Sequence, residues 1–241
     1  MDASTYAPLG KAFLDYWRGN EGAAYTYERD DGFEEDHLVK IYFRPPSEFS
    51  SLERNALRMC TGHVLDAGAG AGSHALVLQD RGLRVLANDI AHGAVEVMSA
   101  RGVREVHHGP ILEMPPGAFD TLLLLGRSIG LVGDLEGLRH FLRKSRRLVT
   151  SSGQVLLTSF DVTCSNDPRL RAYQERNAAE GRYPGEIRFR LRYEGMESDW
   201  IRWLYVDPDT LARCALEEGW VSETVQWESD GNYLARLERA P

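Results

Sequence analysis

The chain is poor in cysteine, and what it has is not arranged for pairing. Cys60, Cys164 and Cys214 are odd in number and widely spaced, with no CxxC and no His/Cys ligand rhythm. That argues against a disulfide framework or a zinc site and predicts three reduced thiols. Positive charge is also short: a net charge of -8 and a pI near 5.4 leave no phosphate-seeking surface, so nucleic acid is not an expected partner. The one basic run, Arg139 to Arg147, lies on a helical pattern and reads as a solvated helix face. No apolar run approaches the roughly 20 residues a membrane span needs, and the opening MDASTY has neither the basic nor the apolar region of a leader. No membrane partner and a cytoplasmic location are expected. Repeats and low-complexity tracts are missing as well.

What remains is an ordinary globular composition, 43% hydrophobic and 27% charged over 241 residues, enough for one structural domain. We expect a lid segment over 1–59 and a core over 60–241. Residues 5–18 predict a helix with Leu9, Phe13, Leu14 and Trp17 on its buried side. Two short strands around Asp30-Asp31-Gly32 follow, the second running to Phe43, and then a helix capped by Ser47 or Ser50. From residue 63 short apolar runs alternate with amphipathic segments, which predicts an α/β core with a parallel sheet. Residues 162–184 read as a helix and a turn, and about 185–206 as an inserted antiparallel β-hairpin. A last helix opens at Asp207-Pro208, and two final strands close the chain.

Between the first core strand and its helix stands Val64-Leu-Asp-Ala-Gly-Ala-Gly-Ala-Gly72. A glycine-rich turn there lets backbone approach a nucleotide cofactor closely. The nicotinamide fingerprint spaces its glycines at one, three and six, whereas Gly68, Gly70 and Gly72 alternate. Asp66, two residues ahead of the first glycine, would repel a pyrophosphate and suits an ammonium instead.

These residues resemble the first motif of the class I S-adenosylmethionine-dependent methyltransferases, D/E-x-G-x-G-x-G after an apolar strand. The resemblance implies a Rossmann-like, seven-stranded, mostly parallel sheet with helices on both faces, and S-adenosylmethionine as cofactor with S-adenosylhomocysteine as product. It also implies a ribose-binding acidic residue at the end of the second strand. In LRVLANDIAHG that is Asp89, 19 residues after Gly70, with Ile90 packing on adenine; the plain alternative is that Asp89 caps the next helix, against which its spacing from Gly70 speaks. Where many members carry an acidic residue after the third-strand glycine, this chain has Pro110, so adenine would be held by Ile111 and apolar walls. The shared core covers about 60–160, and the lid and hairpin look similar to a bacterial small-molecule subgroup.

In open α/β sheets ligands lie beyond the carboxyl ends of the strands. Gly126 is thus a cofactor contact by analogy, Arg127 and Ser128 face the acceptor, and Asp161 is a base or ammonium anchor. Each has a plain alternative: a surface salt bridge for Arg127, a cap of the next segment for Asp161. Arg44 is either a partner of the cofactor carboxylate or an exposed strand-end arginine. Tyr6, Tyr16 and Trp17 on the lid, and Tyr183, Arg188 and Trp203 on the insert, are acceptor-binding candidates against a reading as core. Arg188, Arg190 and Arg192 share a strand face that would meet solvent, a partner subunit or an anionic acceptor. His107-His108 reads as a strand-end pair, and no metal is expected.

The sequence therefore predicts methyl transfer from S-adenosylmethionine to N or O of a small-molecule or peptide-derived acceptor, by a monomer or homodimer. The alternatives are a nicotinamide-dependent oxidoreductase and a cofactor-binding protein without catalysis.

Overall fold

The structure, a computed structural model, describes residues 3–241. A 3-10 turn (Ala3–Tyr6) leads into α1 (Ala7–Trp17), then β1 (Ala24–Arg29), β2 (Glu34–Leu38) and two further 3-10 turns. The core follows as α2 (Ser51–Met59), β3 (His63–Ala67), α3 (Ser73–Asp80), β4 (Arg84–Asp89), α4 (His92–Ala100), β5 (Glu105–His108), β6 (Phe119–Leu124), α5 (Leu135–Ser145) and β7 (Val149–Phe160). After α6 (Pro168–Ala179) come β8 (Glu186–Tyr193), β9 (Met196–Glu197), β10 (Ile201–Leu204), α7 (Pro208–Glu217), β11 (Trp220–Trp227) and β12 (Asn232–Arg239).

The expected sheet is present: seven strands in the order β11-β12-β7-β6-β3-β4-β5. β3, β4 and β5 run parallel, as do β6 and β7, while β12 is antiparallel to both its neighbours. β3 and β6 are buried along nearly their whole length, as strands covered on both faces must be. A second sheet has the order β10-β8-β1-β2, with β9 on β8, so the N-terminal hairpin and the inserted hairpin are one structure.

Contacts group the chain into two compact units. One comprises residues through Pro115 with Phe189–Ile201, the other Pro116–Arg188 with Arg202–Pro241. Phe13, Leu65, Leu78 and Met98 fill the interior of the first; Leu122, Leu138, Leu156, Trp220 and Tyr233 fill that of the second.

Three local expectations are corrected. The second N-terminal strand ends at Leu38, not Phe43: Val39 turns inward, its amide donating to Ala23 O at 2.9 Å, and Val39–Tyr42 forms a 3-10 turn. The helix expected from 162 starts at Pro168, because proline lacks the amide for any later turn and Asp167 caps it through Arg169 N. The buried side of α1 is not the large apolar stripe: Trp17 is 46% exposed, while Pro8, Gly10, Ala12 and Phe13 are covered. The cause is its close approach to α4, where a Cβ on Gly93 would lie 2.1 Å from Gly10 O. Two backbones can meet like this only where both residues lack a side chain. For α2 the cap is Ser50, closing a box with Glu53.

Candidate cofactor and acceptor sites

The glycine stretch joins β3 to α3 in a conformation that demands glycine. Gly68, Gly70 and Gly72 have φ of 72°, 57° and 79°, in the left-handed region that costs other residues about 1–2 kcal/mol each. Gly72 is doubly constrained, since a Cβ there would meet Met98 and Val103 at 2.9 Å. The stretch is tied down from several sides: Gly68 N and Ala69 N donate to Asn88 O at 2.9 and 3.0 Å, and Arg101 reaches Ala71 O at 2.5 Å. Ser73 Oγ donates to Tyr42 O at 2.6 Å.

Asp89 lies where the spacing puts it. One carboxylate oxygen accepts Gly70 N at 2.9 Å and the other accepts Ala91 N at 2.8 Å. The side chain thus both grips the glycine stretch and opens α4, and burial raises its pKa. Asp66 is different. It is buried, 2% exposed, and among the described residues its Oδ2 has no hydrogen-bond partner. Burial pushes its pKa up to about 6, against the pull of His74 and with the charge of Asp89 adding to the rise. A buried carboxylate oxygen without a donor is costly, and an ammonium group would supply both charge and hydrogen bond. The donor set therefore fits the methionine end of S-adenosylmethionine and not a pyrophosphate.

Around this cradle the N-terminal elements supply aromatic walls. Tyr6 is buried, its phenol raised by burial and then by the charge of Asp89. The Tyr42 ring lies 3.4 Å from where a Gly70 Cβ would stand, packs on Phe13 at 4.7 Å between centroids, and shares a 2.8 Å hydroxyl contact with Tyr25. Tyr16 packs tilted on Phe43 at 4.5 Å, and Arg101 lies over the same Phe43 ring at 5.0 Å. Trp17 lies outside this packing, largely exposed. Arg44 spends its guanidinium on Glu53 at 2.6 Å and on the carbonyls of Ile41 and Glu48. The sequence put Phe13 on a buried helix side without tying it to the glycine stretch, and Arg101 escaped the reading; the S-x-x-E signature of Ser50 and Glu53 was there to be read.

At the ends of β4 and β5, Asn88 Nδ2 contacts His107 Nδ1 and Gly109 O, both at 2.9 Å, and His108 Nε2 meets Ile90 O at 3.0 Å. Both histidines thus brace strand ends. Gly109 N donates to Asp89 O at 3.1 Å, and Pro110 opens the short turn that begins at Ile111.

In the second unit the acceptor candidates cluster at the ends of β6 and β7. Gly126 and Arg127 both have φ of 64°; for arginine this is a strained state, of the kind that collects at functional sites. Arg127 N donates to Thr158 Oγ1 at 3.1 Å and Nε to Asn232 Oδ1 at 2.8 Å, and the guanidinium lies over Phe160 at 5.0 Å and Tyr205 at 5.9 Å. It is an aromatic-held arginine, not half of a surface salt bridge. Ser128 is buried in the turn that follows. Asp161 Oδ1 accepts both Thr163 N at 2.9 Å and Thr163 Oγ1 at 2.7 Å, the capping alternative.

Trp203 reaches the same turn: a Cβ on Gly130 would fall 2.0 Å from its Nε1. The Tyr183 hydroxyl is committed to Asp207, which caps α7 through Thr210 N. Arg188 is exposed, its amide donating to Tyr173 Oη at 3.1 Å. Elsewhere on that strand Arg190 and Arg192 pair with Glu28, Glu34 and Glu197, which neutralises them and removes the case for an anion-binding face.

Comparison with known proteins agrees with this geometry. A family model described as a methyltransferase domain matches residues 65–157. A crystal structure of a S-adenosylmethionine-dependent methyltransferase from Bacteroides fragilis, in complex with S-adenosylhomocysteine, is 34% identical, covers 99% of this chain and 97% of its own, and superposes with a TM-score of 0.87. At 13% identity, the CcbJ methyltransferase from Streptomyces caelestis covers all of both chains with a TM-score of 0.65. The sugar N-methyltransferase KedS8 from Streptoalloteichus shares the fold at 12% identity and a TM-score of 0.55, over 85% of this chain and 94% of that one. No curated relative matches the sequence. The chain belongs to the S-adenosylmethionine-dependent methyltransferases. Its cofactor is S-adenosylmethionine, and the nicotinamide alternative falls. Among the described residues no helix is long and apolar enough to cross a membrane.

Proposed function

We propose that the chain transfers a methyl group from S-adenosylmethionine to N or O of a small molecule or peptide-derived natural product, by in-line displacement. The observation that carries the reading is the Asp66 carboxylate oxygen, unpartnered among the described residues, ahead of a left-handed glycine stretch. When bound, the cofactor supplies an electrophilic methyl on sulfur. Asp66 takes the ammonium, Asp89 the two ribose hydroxyls, and Ile90, Pro110 and Ile111 wall the adenine, with Gly126 as a further contact. Tyr6 and Tyr16 exclude water on the N-terminal side. Arg127, Ser128 and Trp203 orient the acceptor, since holding a lone pair in line with the methyl supplies much of the rate. Asp161, whose Oδ1 accepts from Thr163, takes the proton of a protonated acceptor or anchors its ammonium.

The test is incubation of the full chain with isotopically labelled S-adenosylmethionine and metabolite extracts, followed by mass analysis. A product heavier by one labelled methyl, formed together with S-adenosylhomocysteine, supports transfer. Tight cofactor binding with no methylated product in any extract would favour a binding protein without catalysis.

A further inference from the structure

Arg29, Arg44 and Arg190 each lie over an aromatic ring, and each is closed off by a carboxylate: Asp31 at 2.7 Å, Glu53 at 2.6 Å and Glu28 at 2.8 Å. Arg127 has the ring contacts without the carboxylate. Its guanidinium lies over Phe160 and Tyr205, two rings that meet edge to face at 5.7 Å. Its Nε donates to Asn232 Oδ1 at 2.8 Å, which is a neutral oxygen. Asn232 in turn gives its amide and Nδ2 to the two oxygens of Asp230, at 3.0 and 2.8 Å, so that carboxylate is turned on Asn232 and meets Arg127 only through charge at longer range. The terminal nitrogens of Arg127 have no hydrogen-bond or ion-pair partner among the described residues, and they are not sealed from solvent.

The fork is fixed before anything binds to it. Its backbone is held in the left-handed region by the turn, with the amide on Thr158 Oγ1, and its far end is held by the two rings and Asn232. A planar guanidinium whose Nε is taken still offers its terminal edge, where two parallel N–H groups match the two oxygens of a carboxylate. Little side-chain entropy is left to lose on binding, because the rings have already ordered the chain. The surrounding charge selects among anions. Asp161 follows Phe160 directly and its amide donates to Gly231 O, beside Asp230. Two carboxylates around the strand end repel a phosphate dianion more strongly than a singly charged carboxylate.

We propose that Arg127 sets the specificity of the acceptor side, and that the acceptor carries a carboxylate which the terminal edge of the guanidinium takes. The inference rests on the reading of this strand-end region as the acceptor side. The carboxylate is a handle set apart from the atom that receives the methyl, so no bond to it forms or breaks. The competing occupant is the carboxylate of the cofactor itself.

The experiment separates the two on the full chain. Calorimetric affinity for S-adenosylhomocysteine should be the same in Arg127→Gln as in wild type to within about twofold; a loss of about tenfold or more would hand the guanidinium to the cofactor and overturn the proposal. Saturation-transfer NMR on the chain saturated with S-adenosylhomocysteine then compares benzoate with benzamide, its neutral counterpart. Wild type should show benzoate and not benzamide, Arg127→Gln should lose the benzoate signal, and Arg127→Lys should keep part of it, having the charge without the fork. No benzoate signal in wild type, or an undiminished one in Arg127→Gln, overturns the proposal. Displacement of benzoate by an equal concentration of inorganic phosphate overturns the choice of a carboxylate. Thermal melts show that both variants are folded. With labelled S-adenosylmethionine and extracts, the methylated product should carry a free carboxylate, and Arg127→Gln should raise KM for its acceptor about tenfold or more with a smaller change in kcat; a product without a free carboxylate sinks the idea. If no extract gives a product, it is the transfer reading that fails, and the benzoate signals still decide what Arg127 binds.

Discussion

The glycine stretch and the Arg127–Asp161 region solve the same problem by different means. In the first, backbone does the holding: left-handed glycines, amide donors and two carboxylates, one satisfied by amides and one with an oxygen left bare among the described residues. In the second, side chains hold side chains: Arg127 in a strained conformation, kept there by Phe160, Tyr205 and Asn232, and Asp161 turned on Thr163. In the proposed reading the cofactor is met mainly by backbone and the acceptor by side chains, which substitution changes one at a time.

That contrast can be broken at several points. The largest effect should follow Asp89→Ala. If Asp89 takes the ribose as proposed, the change removes two charge-assisted hydrogen bonds of roughly 1.5–3 kcal/mol each and releases Gly70 N, so calorimetric affinity for S-adenosylhomocysteine should fall by more than about a hundredfold. Unchanged affinity would end the assignment. Next is a stability signature of Asp66. Its folded pKa, about 6, lies above the ordinary 3.8. The unliganded protein is therefore favoured below the ordinary value and loses that advantage as pH rises from about 4 to about 6. The displacement corresponds to about 3 kcal/mol. Denaturant unfolding of wild type and Asp66→Asn should show a difference growing over this interval in favour of the variant, and a constant difference would contradict it.

Asp161→Asn should lower turnover on the order of a hundredfold with cofactor affinity intact; full turnover would leave Asp161 as a cap only. The smallest effect is expected from Tyr42→Phe, which breaks the hydroxyl contact with Tyr25 but keeps the ring over Gly70. About 1 kcal/mol of unfolding free energy should go, and an unaltered midpoint would show that the ring alone matters.

How much of this was legible in the sequence follows the same division. The strand, glycines and acidic residue around 64–72, and Asp89 at its distance, were readable because each is fixed by local backbone geometry. The seven-stranded sheet was readable from alternation. That Tyr42, Phe13 and Arg101 gather around the stretch was not, since their positions there depend on how a distant helix and turn come to rest. α1 illustrates the reason: apolar periodicity pointed to Phe13, Leu14 and Trp17, yet packing was decided by Gly10 meeting Gly93, residues that a hydrophobic pattern treats as blanks. The insert was legible as a hairpin, but its union with β1 was not, because nothing local to either strand names its partner.

That union has a consequence for synthesis. β1 pairs with β8 through Thr26↔Arg192 to Arg29↔Phe189, and Glu28 takes Arg190 from 162 residues away. At ribosomal speeds of about 5–20 residues per second, the free edge of β1 waits roughly ten seconds or more for its neighbour to emerge. During that interval the nascent chain carries an open β1 edge with only β2 beside it, a template for mispairing that β8 later covers.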